Sequence, residues 1–249
     1  MKLGPKLAEG KTKIIYAYPD DQALAVMVQK DSISAGDGAR RNTIAGKGAL
    51  SGRTAANVFA LLNRAGIATH LVAAPEPGVM LVRRCAMIPL EVVMRRLATG
   101  SFLKRHPGTA EGTRFEPPLV EFFLKDDARH DPQISEAGIA AQGIASAAEV
   151  AQIARDGRRV FAAIEHAWAA QDVALVDLKI EFGRDTSGAL IVADMIDNDS
   201  WRLWPGGRKE RMLDKQVYRN MSEVTDTGLA QVRDLYATVA DMTDAWRAE

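Results

Sequence analysis

Between Val176 and Phe182, the apolar residues Val176, Leu178, Ile180 and Phe182 alternate with Asp177, Lys179 and Glu181. This is the period of a half-buried strand, with one oily and one charged face. Gly183 to Gly188 is rich in turn residues, and Ala189 to Ile196 is a second apolar run broken by one acid, Asp194. The pattern predicts a β-hairpin. With the loop centred on Ser187 and Gly188, position 184 pairs with 191 and Glu181 faces Asp194. Directly opposed residues have Cβ atoms about 5 Å apart, and like charges there are destabilising. A cation between the two carboxylates resolves the conflict. Two hard oxygen ligands with open positions suit Mg²⁺, which keeps waters and shares nucleotide phosphates; the same ligands also accept Mn²⁺. Lys179, on the same face, reaches the same phosphates. A solvated charged face would give the same alternation. The continuation DNDSWRLWP argues against it, because Trp201, Arg202 and Trp204 are poor choices for a solvated edge.

Other periodicities fill in the frame. Residues 7–16, LAEGKTKIIY, read as a strand with Lys11 and Lys13 on one face and Ile14 on the other. Leu24 to Val28 returns as a strand after the Asp20-Asp21 turn. Ser51 to Ala65 has helical spacing at Ala55, Val58, Phe59 and Leu62, with Ser51 as N-cap and Gly66 as stop. Ile67–Ala73 and Val79–Arg83 read as strands about the Pro75–Pro77 turn. Glu116 to Lys125 gives a turn and a short apolar strand. A helix is predicted over Ala147–Ala170, with Val150, Ile153, Ala154, Phe161, Ile164 and Trp168 as its buried stripe. A second spans Gly228–Ala248, burying Leu229, Val232, Leu235, Tyr236, Val239 and Met242. Texture changes near Met87 and Pro89, predicting a small β-rich lobe over residues 1–85 and a larger α+β lobe over 86–249.

Composition narrows the class. The chain has 249 residues, 47% of them hydrophobic, enough for a large core. Its 32 basic and 32 acidic residues balance, which gives no general surface for nucleic acid or membrane. No apolar run is long enough to span a bilayer, and MKLGPKLAEGKTK lacks the apolar core of a signal peptide. The one cysteine, Cys85, excludes an internal disulfide and fits a reducing cytoplasm. The four histidines lack zinc-site spacing.

Three polar stretches carry candidate chemistry. GKTK is not a P-loop: the glycine spacing fails and strand, not helix, follows. Lys11 and Lys13 either cover phosphates as a flap or protect an edge strand. In KDSISAGDGARRN, residues 30–42, the small residues let a backbone approach a ligand, or form an ordinary surface loop. In MIPLEVVMRRLATGSFLKR, residues 87–105, basic side chains surround Thr99-Gly100-Ser101. Backbone N–H groups, hydroxyls and guanidinium forks there suit a phosphate ester; a solvated basic element would have the same composition.

EGKTKIIY, KDSISAGDGAR, MIPLEVVMRRLATGSFLKR, FFLKDDARHDP, LVDLKIEFG and ADMIDNDSWRLWP together resemble the SAICAR synthetase family, in its order and spacing and over nearly the whole chain. The resemblance implies two α+β lobes, related to kinases and ATP-grasp enzymes, with ATP in the cleft. It implies a ligase of purine biosynthesis that joins L-aspartate to the carboxylate of carboxyaminoimidazole ribonucleotide (CAIR), consuming ATP and releasing SAICAR, ADP and phosphate. By resemblance, Lys11, Lys13, Met87 and Lys125 contact ATP, and Glu181 and Asp194 hold Mg²⁺, with Lys179 between the substrates. Arg95, Ser101, Arg202 and Arg219 take CAIR. Ser34, Asp37, Gly38 and Arg40 are the candidates for aspartate. The family also implies a homodimer. A small-molecule kinase on the same scaffold would share the lysines and acids but need no aspartate. A non-catalytic nucleotide-binding regulator would not need both acids.

Overall fold

A computed structural model describes residues 1–36 and 38–247. The first third supplies β1 (Lys6–Glu9), β2 (Lys13–Ala17), β3 (Leu24–Gln29), the hairpin β4 (Ser32–Ala35) and β5 (Arg40–Thr43), α1 (Lys47–Arg64), β6 (Leu71–Glu76) and β7 (Val79–Arg83). Five of these strands form an antiparallel sheet in the order β1-β2-β3-β7-β6. Next come β8 (Cys85–Met87), β9 (Leu90–Leu97), α2 (Ser101–Arg105), β10 (Arg114–Leu124), β11 (Gln133–Ile134), α3 (Glu136–Ala141) and α4 (Ala147–Ala169). The chain closes with β12 (Val173–Asp185), β13 (Leu190–Ala193), β14 (Trp201–Pro205), α5 (Gln216–Arg219) and α6 (Asp226–Asp244). The second sheet runs β11-β10-β9-β12-β13, with β8 and β14 also paired to β12.

β12 is the axis of that sheet. It extends three residues beyond each end of the predicted Val176–Phe182 strand. Val176, Leu178 and Ile180 are fully buried, and α4 covers Leu178 and Ile180 with Ile153, Phe161, Ile164 and Trp168. Ser146 starts α4 through a reciprocal capping box with Glu149. The charged side of β12 is also withdrawn from solvent: Asp177 and Glu181 are buried. The alternation therefore marks a core face and a sheltered polar face.

The predicted hairpin forms with its register shifted by one. Glu181 pairs with Ala193 and Arg184 with Leu190. The Asp185 side chain accepts from the backbone of Ser187 and Ala189, and Gly188 takes φ 85°. This builds a three-residue loop, Thr186 to Gly188, where the sequence suggested two. Asp194 thus lies one position past its expected partner. Its backbone is left-handed at φ 66°, which takes it off the ladder and turns it back toward the lysines.

Two further expectations are corrected. Residues 7–16 are not one strand: β1 and β2 form a hairpin, with Lys11 in its turn. α1 begins at Lys47 rather than Ser51. Its N-terminal amides are satisfied from outside the helix, as Asp31 accepts from Gly46 at 3.0 Å and Gly48 at 2.8 Å. Ser51 is buried within the helix.

The two sheets are stitched together. Thr69 bridges Val192, His70 N donates to Val192 O at 2.9 Å, and Arg83 N donates to His70 O at 2.7 Å. One apolar cluster runs from Met27, Phe59 and Met80 to Leu90, Ile180 and Trp168. A smaller one, Ile33, Ile44, Tyr218, Val232 and Tyr236, seats the β4–β5 hairpin on α5 and α6. No helix among the described residues is long and apolar enough to cross a membrane.

Two predictions follow from this packing. α1 crosses the β6–β7 turn so closely that a Cβ on Gly52 would stand 2.6 Å from Gly78 Cα. Helix propensity alone makes Gly→Ala stabilising by about 1 kcal/mol, whereas forced repacking costs about 1–3 kcal/mol. Gly52→Ala should therefore lower the denaturation midpoint in urea; a higher midpoint would mean the turn yields freely. At the seam, His70 is 3% exposed, lies edge-on to Phe59, and leaves Nε2 unpartnered. Burial pushes its pKa down to about 4 from 6.5. The unfolded chain thus binds the proton first, and stability contributed above pH 6.5 is lost as pH falls toward 4. Burial raises Asp214 to about 6, which gives the opposite slope over an overlapping window. His70→Leu cancels Asp214 from the comparison. From pH 7 to 4 its stability should gain about 3 kcal/mol relative to wild type in urea titrations; a pH-independent difference would contradict a neutral buried imidazole.

Candidate active site

One cavity of about 760 Å³ opens between the two sheets. Lys11, Thr12 and Lys13 lean over it from the β1–β2 hairpin. Ser34, Gly36 and Gly38 come from the β4–β5 hairpin. Its floor is the polar side of β9 and β12, with Glu91, Arg95, Asp177 and Lys179. Asp194, Asp197 and Asp199 follow β13, while Arg202, Lys215 and Arg219 close the far wall.

At one end the charges alternate acid and lysine. Glu181, 2% exposed, accepts from Lys125 Nζ at 2.7 Å and Lys179 Nζ at 2.9 Å. Lys179 also pairs with Glu91 at 3.2 Å, and Lys13 donates to Asp194. Burial by itself would lower the Lys179 pKa, but Glu181, Glu91 and Asp194 together hold it well above the ordinary lysine value. Burial likewise works against the Asp194 carboxylate. Lys13, Lys179 and Lys125 outweigh it and keep Asp194 well below the usual carboxylate range. Lys179 and Asp194 are therefore both charged at neutral pH.

Arginine dominates the other end. Arg95 is buried, giving Nε to Glu121 at 2.5 Å and Nη1 to Asp177 at 3.0 Å. Arg202 donates to the same Asp177. Gly100 has φ 59°, and a Cβ there would meet Arg202 Nη2 at 2.5 Å. The glycine lets the Thr-Gly-Ser turn touch the guanidinium. Ser101 then opens α2 at the cavity wall.

Of the residues singled out in the sequence, Lys11, Lys13, Ser34, Gly38, Arg95, Ser101, Lys179, Asp194, Arg202 and Arg219 line this cavity. Glu181 and Lys125 lie just behind the lining, linked to it through Lys179. Met87 does not line it; it is 42% exposed on β8, beside Gly183. Arg40 also stands outside. Its Nη1 donates to the carbonyls of Tyr218 and Met221 at 3.1 and 2.8 Å, tying the β4–β5 hairpin to α5. Asp37 lies outside the described residues.

The sequence reading missed a group of acids and lysines on the floor. Asp199 accepts from Lys215 Nζ at 3.0 Å and from the Tyr236 hydroxyl, with Lys47 Nζ 3.8 Å away. Lys47 is buried and lies over the Tyr236 ring at 4.8 Å. Burial and the neighbouring Asp199 raise the pKa of Asp197. The signal was present in the acid-rich DNDS stretch, but partners from α1 and α6 are not adjacent in sequence.

Carboxylate oxygens from Glu181 and Asp194 are a donor set suited to a hard divalent cation. Among the described residues no three His, Cys, Asp or Glu side chains gather as a metal cluster. A cation here would complete its shell with water and phosphate oxygens, which is the habit of Mg²⁺.

With this geometry in hand, the similarities to known proteins become specific. The SAICAR synthetase family model matches residues 6–235. A phosphoribosylaminoimidazole-succinocarboxamide synthase of Roseiflexus castenholzii is 74% identical over 246 residues, covering 99% of both chains. The crystal structure of the synthase from Ehrlichia chaffeensis superposes with TM-score 0.87 at 32% identity, covering 97% of this chain and 99% of that one. A SAICAR synthetase in complex with ADP superposes with TM-score 0.85 at 32% identity, covering 96% of this chain and 97% of that one. The chain belongs to the SAICAR synthetase family of ATP-dependent ligases.

Proposed function

We propose that this chain ligates L-aspartate to the carboxylate of 5-amino-1-(5-phosphoribosyl)imidazole-4-carboxylate, CAIR, giving SAICAR, ADP and phosphate. The observation that carries the reading is the division of one cavity into a lysine–carboxylate end and an arginine–Ser101 end. The first suits a nucleoside triphosphate and its cation; the second suits a phosphate ester. The reading includes a small lobe over 1–85 and a larger one over 86–249, a homodimer, and a cytoplasmic setting.

The chemistry sets the task. A carboxylate is a poor acyl donor because oxide would have to leave. The CAIR carboxylate oxygen attacks the γ-phosphorus, the bond to the β-phosphate oxygen breaks, and ADP departs. The resulting acyl phosphate is attacked by the aspartate amine; phosphate leaves as the amide forms, and the ammonium loses two protons overall.

In this reading Lys11 and Lys13 cover the ATP phosphates, Lys125 borders the nucleotide and Met87 meets the adenine. Lys179, held charged by its three carboxylate neighbours, sits between the reacting groups and offsets charge on the transferring phosphoryl. Arg95, Ser101, Arg202 and Arg219 orient the ribonucleotide through its 5′-phosphate. Ser34 and Gly38 form the aspartate side with Asp37, and Arg40 anchors their hairpin. Glu181 and Asp194 would hold Mg²⁺, which when bound neutralises phosphate charge. Closure of the β1–β2 hairpin would keep water from the acyl phosphate.

Two measurements test this. Phosphate release from ATP should require CAIR and L-aspartate together, with the imidazole product appearing in step by absorbance. Stable phosphorylation of an acceptor without aspartate would favour the kinase reading. In a second test, Glu181→Ala should lose Mg²⁺-dependent turnover by at least about 10²-fold, on the scale of removing a group that stabilises transition-state charge. Cooperative thermal unfolding should persist. An active, folded variant would remove Glu181 from the cation site.

A further inference from the structure

We infer that Glu121, which touches no substrate in the reading above, is the positioning residue for the phosphate-ester end of the cavity. Glu121 is 4% exposed and sits on β10, opposite Val93 of the paired strand β9. Three donors converge on it: Arg95 Nε at 2.5 Å, Arg105 Nη2 at 2.6 Å and Gln133 Nε2 at 3.1 Å. Each link reaches a different part of the pocket wall. Through Arg95 it fixes a fork whose Nη1 is held by Asp177, and Asp177 in turn holds Arg202. Through Arg105, whose Nη1 donates to Ser101 O at 3.3 Å, it fixes the first turn of α2. The chain Arg105–Glu121–Arg95–Asp177–Arg202 thus interleaves three guanidiniums with two carboxylates.

This arrangement has a functional logic. Arg95 spends Nε and Nη1 on acids behind it, and Nη2 has no hydrogen bond to a described residue. A guanidinium is a rigid planar fork, so fixing two of its nitrogens fixes the direction of the third. A buried arginine without Glu121 would turn toward Asp177 or draw in water. Arg105 stacks over Phe123 at 5.0 Å, which confines it to the plane in which it meets both Glu121 and Ser101. Glu121 therefore coordinates two pocket residues that lie six positions apart on different elements.

The sign of one substitution separates positioning from simple charge. Glu121→Gln removes a negative charge near an anion site. If Glu121 acts only through its field, the variant binds anionic ribonucleotide more tightly. If it positions Arg95 and Ser101, binding weakens despite the gain in positive charge. The inference rests on the proposed assignment of Arg95 and Ser101 to CAIR, so Arg95→Lys is measured alongside it.

The expected result is a rise of about tenfold in the CAIR KM of Glu121→Gln, on the scale of one lost charged hydrogen bond. The ATP and aspartate KM values should stay within about twofold, with little change in kcat. Arg105→Gln, at a partly exposed position, should raise the CAIR KM in the same direction by a smaller factor. An unchanged or lower CAIR KM in both variants, or an equal rise for all three substrates, overturns the inference. If Arg95→Lys raises the CAIR KM while neither Glu121→Gln nor Arg105→Gln does, the site assignment stands and the inference fails. If Arg95→Lys has no effect on the CAIR KM, the site assignment itself fails.

Discussion

The buried polar face of β12 is the constraint on which the site depends. Asp177 and Glu181 project from a strand whose other side is core, and both are withdrawn from solvent. A buried carboxylate without a partner is strongly destabilising, at several kcal/mol even after relaxation. Each is therefore matched: Asp177 by Arg95 and Arg202, Glu181 by Lys125 and Lys179. Matching the acids also gathers the cations, so the requirement to fold and the requirement to bind anions are met by the same pairs. In the proposed reading Glu181 would hold the divalent cation, with Lys125 and Lys179 beside it to offset phosphate charge.

This floor is usable only because the two sheets are locked in register above it. The backbone bonds of Ala68 and His70 with Val192 fasten the first sheet two residues before Asp194. Strand β8 then leaves the first sheet's end and pairs with β12 opposite Gly183, two residues past Glu181. The lysine hairpin is thereby tied on both sides of the acid pair. α1 adds a third tie: Asp31 caps its start, and Lys47 in its first turn reaches Asp199 on the cavity floor.

Elements with one strong periodicity were legible in the sequence, and ten of the residues it singled out line the cavity. α4 and α6 lie close to their predicted spans, and every residue of the α4 stripe is buried. What the sequence hid were relations between distant segments. The start of α1 was misplaced because its cap, Asp31, lies fifteen residues upstream of Gly46 in another loop. The β12–β13 register slipped by one because the Asp185 side chain organises a loop one residue longer than the glycine suggested. Asp194 still reaches the lysines, through a left-handed backbone that no alternation rule anticipates for a non-glycine residue. Arg40 was a candidate for aspartate by resemblance; its partners are two backbone carbonyls supplied some 180 residues later.

The two ends of the cavity differ in the cation that pairs with their buried acids, and the proposed reaction gives a reason. A 5′-phosphate must stay fixed while chemistry proceeds at the far side of the imidazole. Arginine suits that role, because its fork can be pinned from behind while one edge faces the ligand, as Glu121 and Asp177 pin Arg95. The γ-phosphoryl group, by contrast, changes partners during turnover. Lysine suits a moving charge, since a point ammonium on a flexible stem can follow it with no preferred plane. Lys13 pairs with Asp194, and Lys125 and Lys179 pair with Glu181, while Arg95 and Arg202 share Asp177 at the other end. Exchanging Arg95 for lysine, or Lys179 for arginine, would conserve net charge and still misplace it, because each end is specified by how its cation is held rather than by its sign.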